Sequence, residues 1–280
     1  MPSRTDGPRT IVVVTGASSG IGRATAIEAS RRGAAVVLAA RDKAALESVA
    51  EECPGETLVV PTDVGSDDEV AALVDATLER FGRLDVVISN AGVVSYGRVE
   101  DVPVEVFDGV LRTNLLGSAN VARHVVPVLR RQEAGTLLLV GSVLGHVTVP
   151  TMTPYVVSKW GVRALALQLR LENRDVPGLH IGYVAPGGVD TPIYPNAANY
   201  LGFQGQPPPP YASAERLARQ VLARVRWPFL PAQLNVTNDV IRFGFTFLPK
   251  VYDRLVGPLA QRLTVDHDRP VPPTPGNVLR

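Results

Sequence analysis

A doubly wound α/β domain around a parallel sheet is the fold class predicted for this chain of 280 residues. Three observations predict it. Short β-branched runs alternate with amphipathic stretches over residues 10–195. The runs are continuously apolar, the pattern of strands buried on both faces. Glycines crowd the first strand–helix junction, where doubly wound sheets bind ligands.

The elements follow in order. Thr10–Thr15 (TIVVVT) reads as a strand, and Ile21–Arg32 as a helix that Gly33 ends. Ala35–Ala40 is the second strand, Lys43–Glu52 a helix, and Thr57–Pro61 the third strand. Ser66–Phe81 opens with Ser66 and Glu69 at capping-box spacing. Leu84–Ser89 is the fourth strand, Pro103–Arg131 a long helix or a broken pair, and Gly135–Ser142 the fifth strand. Pro154–Asn173 is a helix and Leu179–Val184 the sixth strand. Beyond them, Gln206–Ala212 reads as a proline-rich loop, Ser213–Arg226 as a helix and Leu234–Thr237 as a short edge strand. Phe243–Arg262 has apolar groups at roughly helical spacing, interrupted by Pro249, Gly257 and Pro258, and Asp266–Arg280 reads as a mobile tail. No repeat and no composition break marks a second domain.

Composition narrows the function classes. Lys+Arg is 28 and Asp+Glu is 27, a net charge of +1 that leaves no electrostatic footprint for nucleic acid. The single cysteine, Cys53, and four scattered histidines indicate no metal site and suit a reducing, cytoplasmic setting. Neither uncharged stretch, 134–158 or 191–214, reads as a membrane span, because prolines interrupt both.

Thr15–Gly22 (TGASSGIG) lies between the first strand and helix. A pyrophosphate there needs backbone N–H groups, a helix N-terminus and no obstructing side chains, which Gly16, Gly20 and Gly22 meet. Three glycines alone would equally serve a tight turn without a ligand. Tyr155 and Lys159, four residues apart, share one helix face. A phenol beside an ammonium is a serviceable proton donor and acceptor. By itself Tyr-x-x-x-Lys is common on solvated helix faces. Ser142, which ends the fifth strand thirteen residues before Tyr155, adds a hydroxyl at the sheet edge where ligands bind.

Together these stretches resemble the short-chain dehydrogenase/reductase family, in its single-domain branch. The matching residues are TGASSGIG (15–22), Asp63-Val64, Asn90-Ala91-Gly92, Asn114, Ser142, Tyr155-x-x-x-Lys159 and PGGVDT (186–191). The resemblance implies a Rossmann-type fold and an enzyme that interconverts a carbonyl and an alcohol with a nicotinamide coenzyme. It implies that Tyr155 is the general acid and base, that Lys159 lowers its pKa and binds the nicotinamide ribose, that Ser142 polarises the carbonyl, and that Asn114 holds a relay water. Gly16, Ser18, Gly20, Ile21, Gly22, Asn90, Ala91 and Gly92 would hold the coenzyme. Asp63 and Val64 would approach the adenine, and Pro186, Gly187, Val189 and Thr191 the nicotinamide. Residues 1–240 would form the dinucleotide-binding and catalytic domain, with a substrate loop over about 192–212, and 241–280 a helical, proline-rich extension serving as lid, interface or tail.

At the end of the second strand, Ala40 stands where an NAD enzyme wants a carboxylate, and Arg41 follows. A guanidinium suits the 2′-phosphate, with Ser18 adding a hydroxyl, so NADP(H) is expected over NAD(H). A register shift of two would put Asp42 at the ribose and keep NAD(H) open. Tyr194, Tyr200, Leu201 and Phe203 in the loop, with Val143, Leu144 and His146 opposite, point to a small hydrophobic carbonyl or alcohol substrate; the alternative is simple packing of the loop. His146 reads as a surface histidine and His124 as packing within the long helix. The extension is expected to cover the pocket or join subunits ahead of touching a membrane surface, because Pro249 and Pro258 interrupt its amphipathic pattern. A homodimer or homotetramer is what the resemblance implies, and a catalytically silent nucleotide-binding scaffold or sensor is the competing reading.

Overall fold

A computed structural model describes residues 9–279 except 229 and 235. Six parallel strands form the central sheet: β1 (Ile11–Thr15), β2 (Ala35–Ala40), β3 (Thr57–Pro61), β4 (Val86–Ser89), β5 (Gly135–Val140) and β6 (Leu179–Val184). Their spatial order is β3-β2-β1-β4-β5-β6. Val13 sits between Val37 and Val87 in the ladder, which fixes the register at the centre. The apolar runs are explained by where alternate residues go. Val13 and Val37 face one core, built with helices α3 (Asp67–Phe81), α5 (Gly117–Gln132) and α6 (Thr153–Glu172). Val12, Val14 and Leu38 face the other, built with α1 (Gly20–Arg31), α2 (Lys43–Glu52) and α7 (Ala214–Arg226). Each such fully buried side chain contributes roughly 1.5–3 kcal/mol.

The caps agree with the sequence. Gly33 follows α1 at φ +92°, and the Ser66 hydroxyl accepts the Glu69 N–H at 3.4 Å. The reciprocal arm of that box is displaced: the Glu69 carboxylate accepts from the Asp63 N–H at 2.7 Å, tying α3 to the loop after β3. The long helical stretch is a broken pair, α4 (Val104–Leu111) and α5, joined by a π-helical turn over Arg112–Leu116 that holds Asn114.

The C-terminal third departs from expectation in three places. Of the expected edge strand 234–237, Leu234 lies outside any strand, Val236 and Thr237 are helical, and residue 235 lies outside the described residues. Gln233 makes one parallel bridge to Ala185, and helix α8 (Val236–Phe247) starts directly afterwards. Phe243–Arg262 is split between α8 and α9 (Pro249–Thr264), since Pro249 suits a first helical position but not an interior one. Trp160 and Tyr252 both pack edge-on against Phe245 and dock this pair on α6. Within the stretch read as a tail, the described residues 266–279 lie against the domain. Val265–Pro270 forms a strand antiparallel to Phe203–Gly205 in the substrate loop, and the chain then returns along the domain to the β2 side of the sheet.

Candidate active site

The strand order reverses direction between β1 and β4, so the loops after these strands part and leave a cleft at the carboxyl edge of the sheet. The cleft encloses about 530 Å³ and runs from Arg41 and Asp42 at one end to Tyr155, Lys159 and Ile193 at the other.

The first wall is the glycine turn. Gly16 has φ +66°, and a Cβ on it would stand 2.8 Å from the Ala91 backbone. A Cβ on Gly22 would strike the Gly16 carbonyl oxygen at 2.1 Å. Only glycine therefore lets this turn lie flat against the start of α1. Ser19 at the N-cap makes no side-chain capping bond, and no acid occupies the first turn of α1, so its N–H groups face the cleft as an anion site. Asn90 holds the turn from the other side. Its Nδ2 donates to the Thr15 carbonyl at 3.0 Å, while the Asn90 and Ala91 N–H groups share the Thr15 hydroxyl at 3.0 and 3.1 Å.

At the inner end, Ser142 leaves β5 in extended conformation, and its Oγ accepts the Leu144 N–H at 3.1 Å. Tyr155, in the first turn of α6, stands beside Ser142, whose hydroxyl favours the phenolate. Lys159, one turn on and 5% exposed, donates from Nζ to the Val140 carbonyl at 3.1 Å, and Nζ lies 5.7 Å from the Tyr155 ring centre. A Cβ on Gly92 would crowd the Asn114 Oδ1 at 3.3 Å and stand in ordinary contact with Nζ at 3.6 Å. The pKa directions differ from the sequence expectation. Desolvation raises the Tyr155 phenol despite the Ser142 hydroxyl that pulls it down. Burial lowers the Lys159 ammonium to about 8. A lysine so buried is itself less firmly charged, and the loss of water around the phenol is the dominant effect on Tyr155.

Asn114 is buried beneath this group. Its Oδ1 accepts the Val93 N–H at 2.8 Å, and its Nδ2 donates to the Val93 carbonyl at 2.9 Å and to the Ser158 Oγ at 2.9 Å. The side chain thus fastens the strand-end segment after Gly92 to α6, and all its polar atoms are engaged in doing so.

Most of the expected coenzyme residues meet in the cleft wall: Gly16, Ser18, Gly20, Ile21, Arg41, Asp63, Val64, Asn90, Ala91, Gly92, Tyr155, Lys159 and Thr191. Asp63 arrives already paired, its Oδ2 accepting from Arg112 at 3.0 Å. Asp42 spends its carboxylate capping α2, accepting the Ala45 N–H at 3.0 Å. Four residues stand elsewhere. Gly22 backs the turn from inside, and Pro186 accepts the Val143 N–H at 2.7 Å. Gly187 is not in the wall, and the Val189 side chain is buried in the core while its backbone pairs with Ala212. The cleft also includes residues that sequence reasoning did not single out, among them Thr62, Thr113, Asn196 and Asn277. Thr62 and Thr113 border recognised motifs, and Asn196 lies inside the expected substrate loop. Asn277 had no signal at all.

At the substrate end, Tyr155 joins an apolar cluster of Val94, Tyr96, Leu144, Met152, Val156, Ile193, Tyr194 and Leu201. Val143 is half-buried, Tyr200 packs in a separate cluster around Val93 and Val106, and Phe203 stacks edge-on against His267. His146 is not a surface residue. It is 7% exposed, packs against Tyr183 and has neither ring nitrogen hydrogen-bonded. His124 reaches across to α3, its Nε2 3.1 Å from the Asp67 carboxylate.

A coenzyme-sized cleft, a glycine turn open to an anion, and a serine–tyrosine–lysine group at its inner end accord with one known family. The short chain dehydrogenase family profile matches residues 10–200. The chain belongs to that family. An uncharacterized oxidoreductase of Staphylococcus aureus (strain USA300) is 35% identical over 184 residues, covering 65% of this chain and 79% of that protein. The alcohol dehydrogenase of the archaeon Thermococcus sibiricus, solved with 5-hydroxy-NADP, is 30% identical with a TM-score of 0.68 and covers 81% of this chain and 95% of its own. Levodione reductase is 27% identical with a TM-score of 0.72, over 80% and 94%. This short-chain dehydrogenase/reductase is accordingly an oxidoreductase with a Rossmann-type sheet. Among its described residues, no helix is long and apolar enough to cross a membrane.

Proposed function

We propose that this enzyme interconverts a hydrophobic ketone or aldehyde and its alcohol, using NADP(H). The observation that carries the reading is Tyr155 in the cleft wall beside Ser142, with the Lys159 Nζ buried 5.7 Å from its ring centre. The coenzyme, when bound, supplies or accepts the hydride at the substrate carbon.

The protein's own groups handle the oxygen and its proton. In reduction, Ser142 donates a hydrogen bond to the carbonyl oxygen, and Tyr155 gives its phenolic proton to the same oxygen as the carbon gains hydride. In oxidation, the phenolate takes that proton back. Lys159 stabilises the phenolate electrostatically. Asn114 acts one step away as a positioning residue, by holding Val93 and Ser158. Arg41, at the far end of the cleft, binds the phosphate that distinguishes NADP(H) from NAD(H). Two observations support that choice: Ala40 leaves no carboxylate at the strand end, and Asp42 is committed to capping α2. The apolar cluster around Tyr155 supports a hydrophobic substrate. We place association of copies on α5 and α6, where Leu116 in the π-helical turn before α5, together with Val157, Leu167 and Leu171, is exposed.

The test is Tyr155→Phe, assayed with NADPH on a panel of hydrophobic ketones. Turnover should fall at least a thousandfold, while NADPH binding, followed by nicotinamide fluorescence, stays within a few-fold of wild type. Undiminished turnover would refute the acid assignment. A wild type that binds the coenzyme but turns over no carbonyl compound would leave a nucleotide-binding scaffold as the reading.

A further inference from the structure

We infer that residues 274–279 are a working wall of the coenzyme cleft, and that the Asn277 backbone carbonyl positions Arg41 for the phosphate group. The inference rests on the reading of Arg41 given above. Arg41 donates from Nη2 to the Asn277 carbonyl at 2.9 Å, across 236 residues of sequence. Asn277 lines the same end of the cleft as Arg41, Asp42 and Asp63.

The carbonyl is held in place by a built turn. Thr274 and Asn199 exchange backbone hydrogen bonds of 2.8 and 3.0 Å, and the Asn277 N–H donates to the Asn196 carbonyl at 3.0 Å. Gly276 adopts φ +55°, and a Cβ there would meet the Ala197 backbone at 2.4 Å. Val278 is 5% exposed and packs with Val93, Val102, Val106 and Val110, so the turn is bolted to the segment that Asn114 also holds.

Physical chemistry gives this contact a role. A guanidinium is a planar fork of five N–H groups, and recognition of a phosphate depends on the orientation of its plane. The Asn277 carbonyl, a neutral acceptor, orients the fork through Nη2. Holding the side chain in one orientation before binding removes an ordering cost that the ligand would otherwise bear. Asn277 is therefore a positioning residue for coenzyme selectivity. The same turn carries the substrate-loop residue Asn196, so loss of the turn disturbs both ends of the cleft; only the effect on phosphate selectivity reports on Arg41.

The experiment measures dissociation constants of adenosine 2′,5′-bisphosphate and of 5′-AMP by calorimetry. It compares wild type, a chain lacking residues 274–280, Asn277→Pro, Arg41→Ala, and the truncation combined with Arg41→Ala. Asn277→Pro removes the N–H bonded to Asn196 and shifts the carbonyl with a single substitution, which covers the case of a truncated chain that does not fold. The wild type should prefer the bisphosphate. Truncation or Asn277→Pro should cut that preference at least fivefold, and truncation should not change it further once Arg41 is alanine. Equal losses for both nucleotides, an unchanged preference in a folded variant, or an additive effect in the Arg41→Ala background would overturn the inference. A wild type with no preference would instead remove the phosphate reading of Arg41, and the inference with it.

Discussion

Lys159 is a site residue whose chemistry burial changes. Burial lowers its ammonium to about 8, while desolvation raises Tyr155. The proton lost near pH 8 is the ammonium's, and with it goes the positive charge that stands 5.7 Å from the Tyr155 ring centre. Reduction needs both groups protonated, and oxidation needs the phenol's proton gone. Carbonyl reduction is therefore expected to hold level below about pH 8 and to fall above it as the ammonium charge is lost, with alcohol oxidation rising only at higher pH, where the raised phenol ionises. In Lys159→Met the limb near pH 8 should vanish, leaving a weak activity with its limb displaced upward; kcat/KM profiles in both directions read this. A limb unmoved in the variant would count against the pairing. That Ser142, Tyr155 and Lys159 lie together, with Asn114 beneath them, was legible from the family resemblance, which sets their places along the chain. The pKa directions were not, because spacing gives proximity but says nothing of the water that burial removes. Asn277 was illegible for a related reason: its contribution is a backbone carbonyl, which every residue possesses.

At the scale of elements, the π-helical turn at Arg112–Leu116 matters more than its length suggests. It presents the Asn114 amide to both backbone polar groups of Val93 and to Ser158. Asn114→Ala would strand a buried N–H and carbonyl beside Gly92. Each unpaired group costs about 1–3 kcal/mol, so the variant should unfold with roughly 3 kcal/mol less free energy in urea. Its kcat should drop at least tenfold as Gly92 loosens next to Lys159, whereas Asn114→Asp should recover part of the stability through the retained acceptor. The six main strands were readable because burial on both faces writes a continuous apolar run. The pairs Ser95–Tyr96 with Ala198–Asn199 and Val189–Asp190 with Ala212–Ser213 were not, since two residues carry no period. Val265–Pro270 (VDHDRP) reads as polar loop because its pairing relies on backbone groups while most of its side chains are exposed.

For the molecule as a whole, His146 stands at the seam between the sheet, α6 and the added α8–α9 pair. Burial holds its imidazole down at about 4, against an ordinary 6.5, and Arg163 and Arg242 push the same way. The unfolded chain takes up this proton first, so stability present at neutral pH is lost as pH falls from 6.5 toward 4. The loss is on the order of 2–3 kcal/mol. Urea unfolding at pH 7 and pH 4.5 should show most of that difference in the wild type and little of it in His146→Gln; equal acid sensitivity in the two would show that the seam is not where protons act. The sheet's outer margins bear on how such molecules meet. At one margin β3 is five residues long and finishes in Pro61, which has no N–H to offer. At the other, Arg170 occupies the Ile181 carbonyl and Gln233 bridges the residue after β6. A neighbouring chain thus finds little ladder to extend, and fibril-like growth by strand addition is discouraged from both sides. Crowded solutions of this enzyme should accordingly self-associate through helical surfaces, as discrete and dissociable particles rather than as threads.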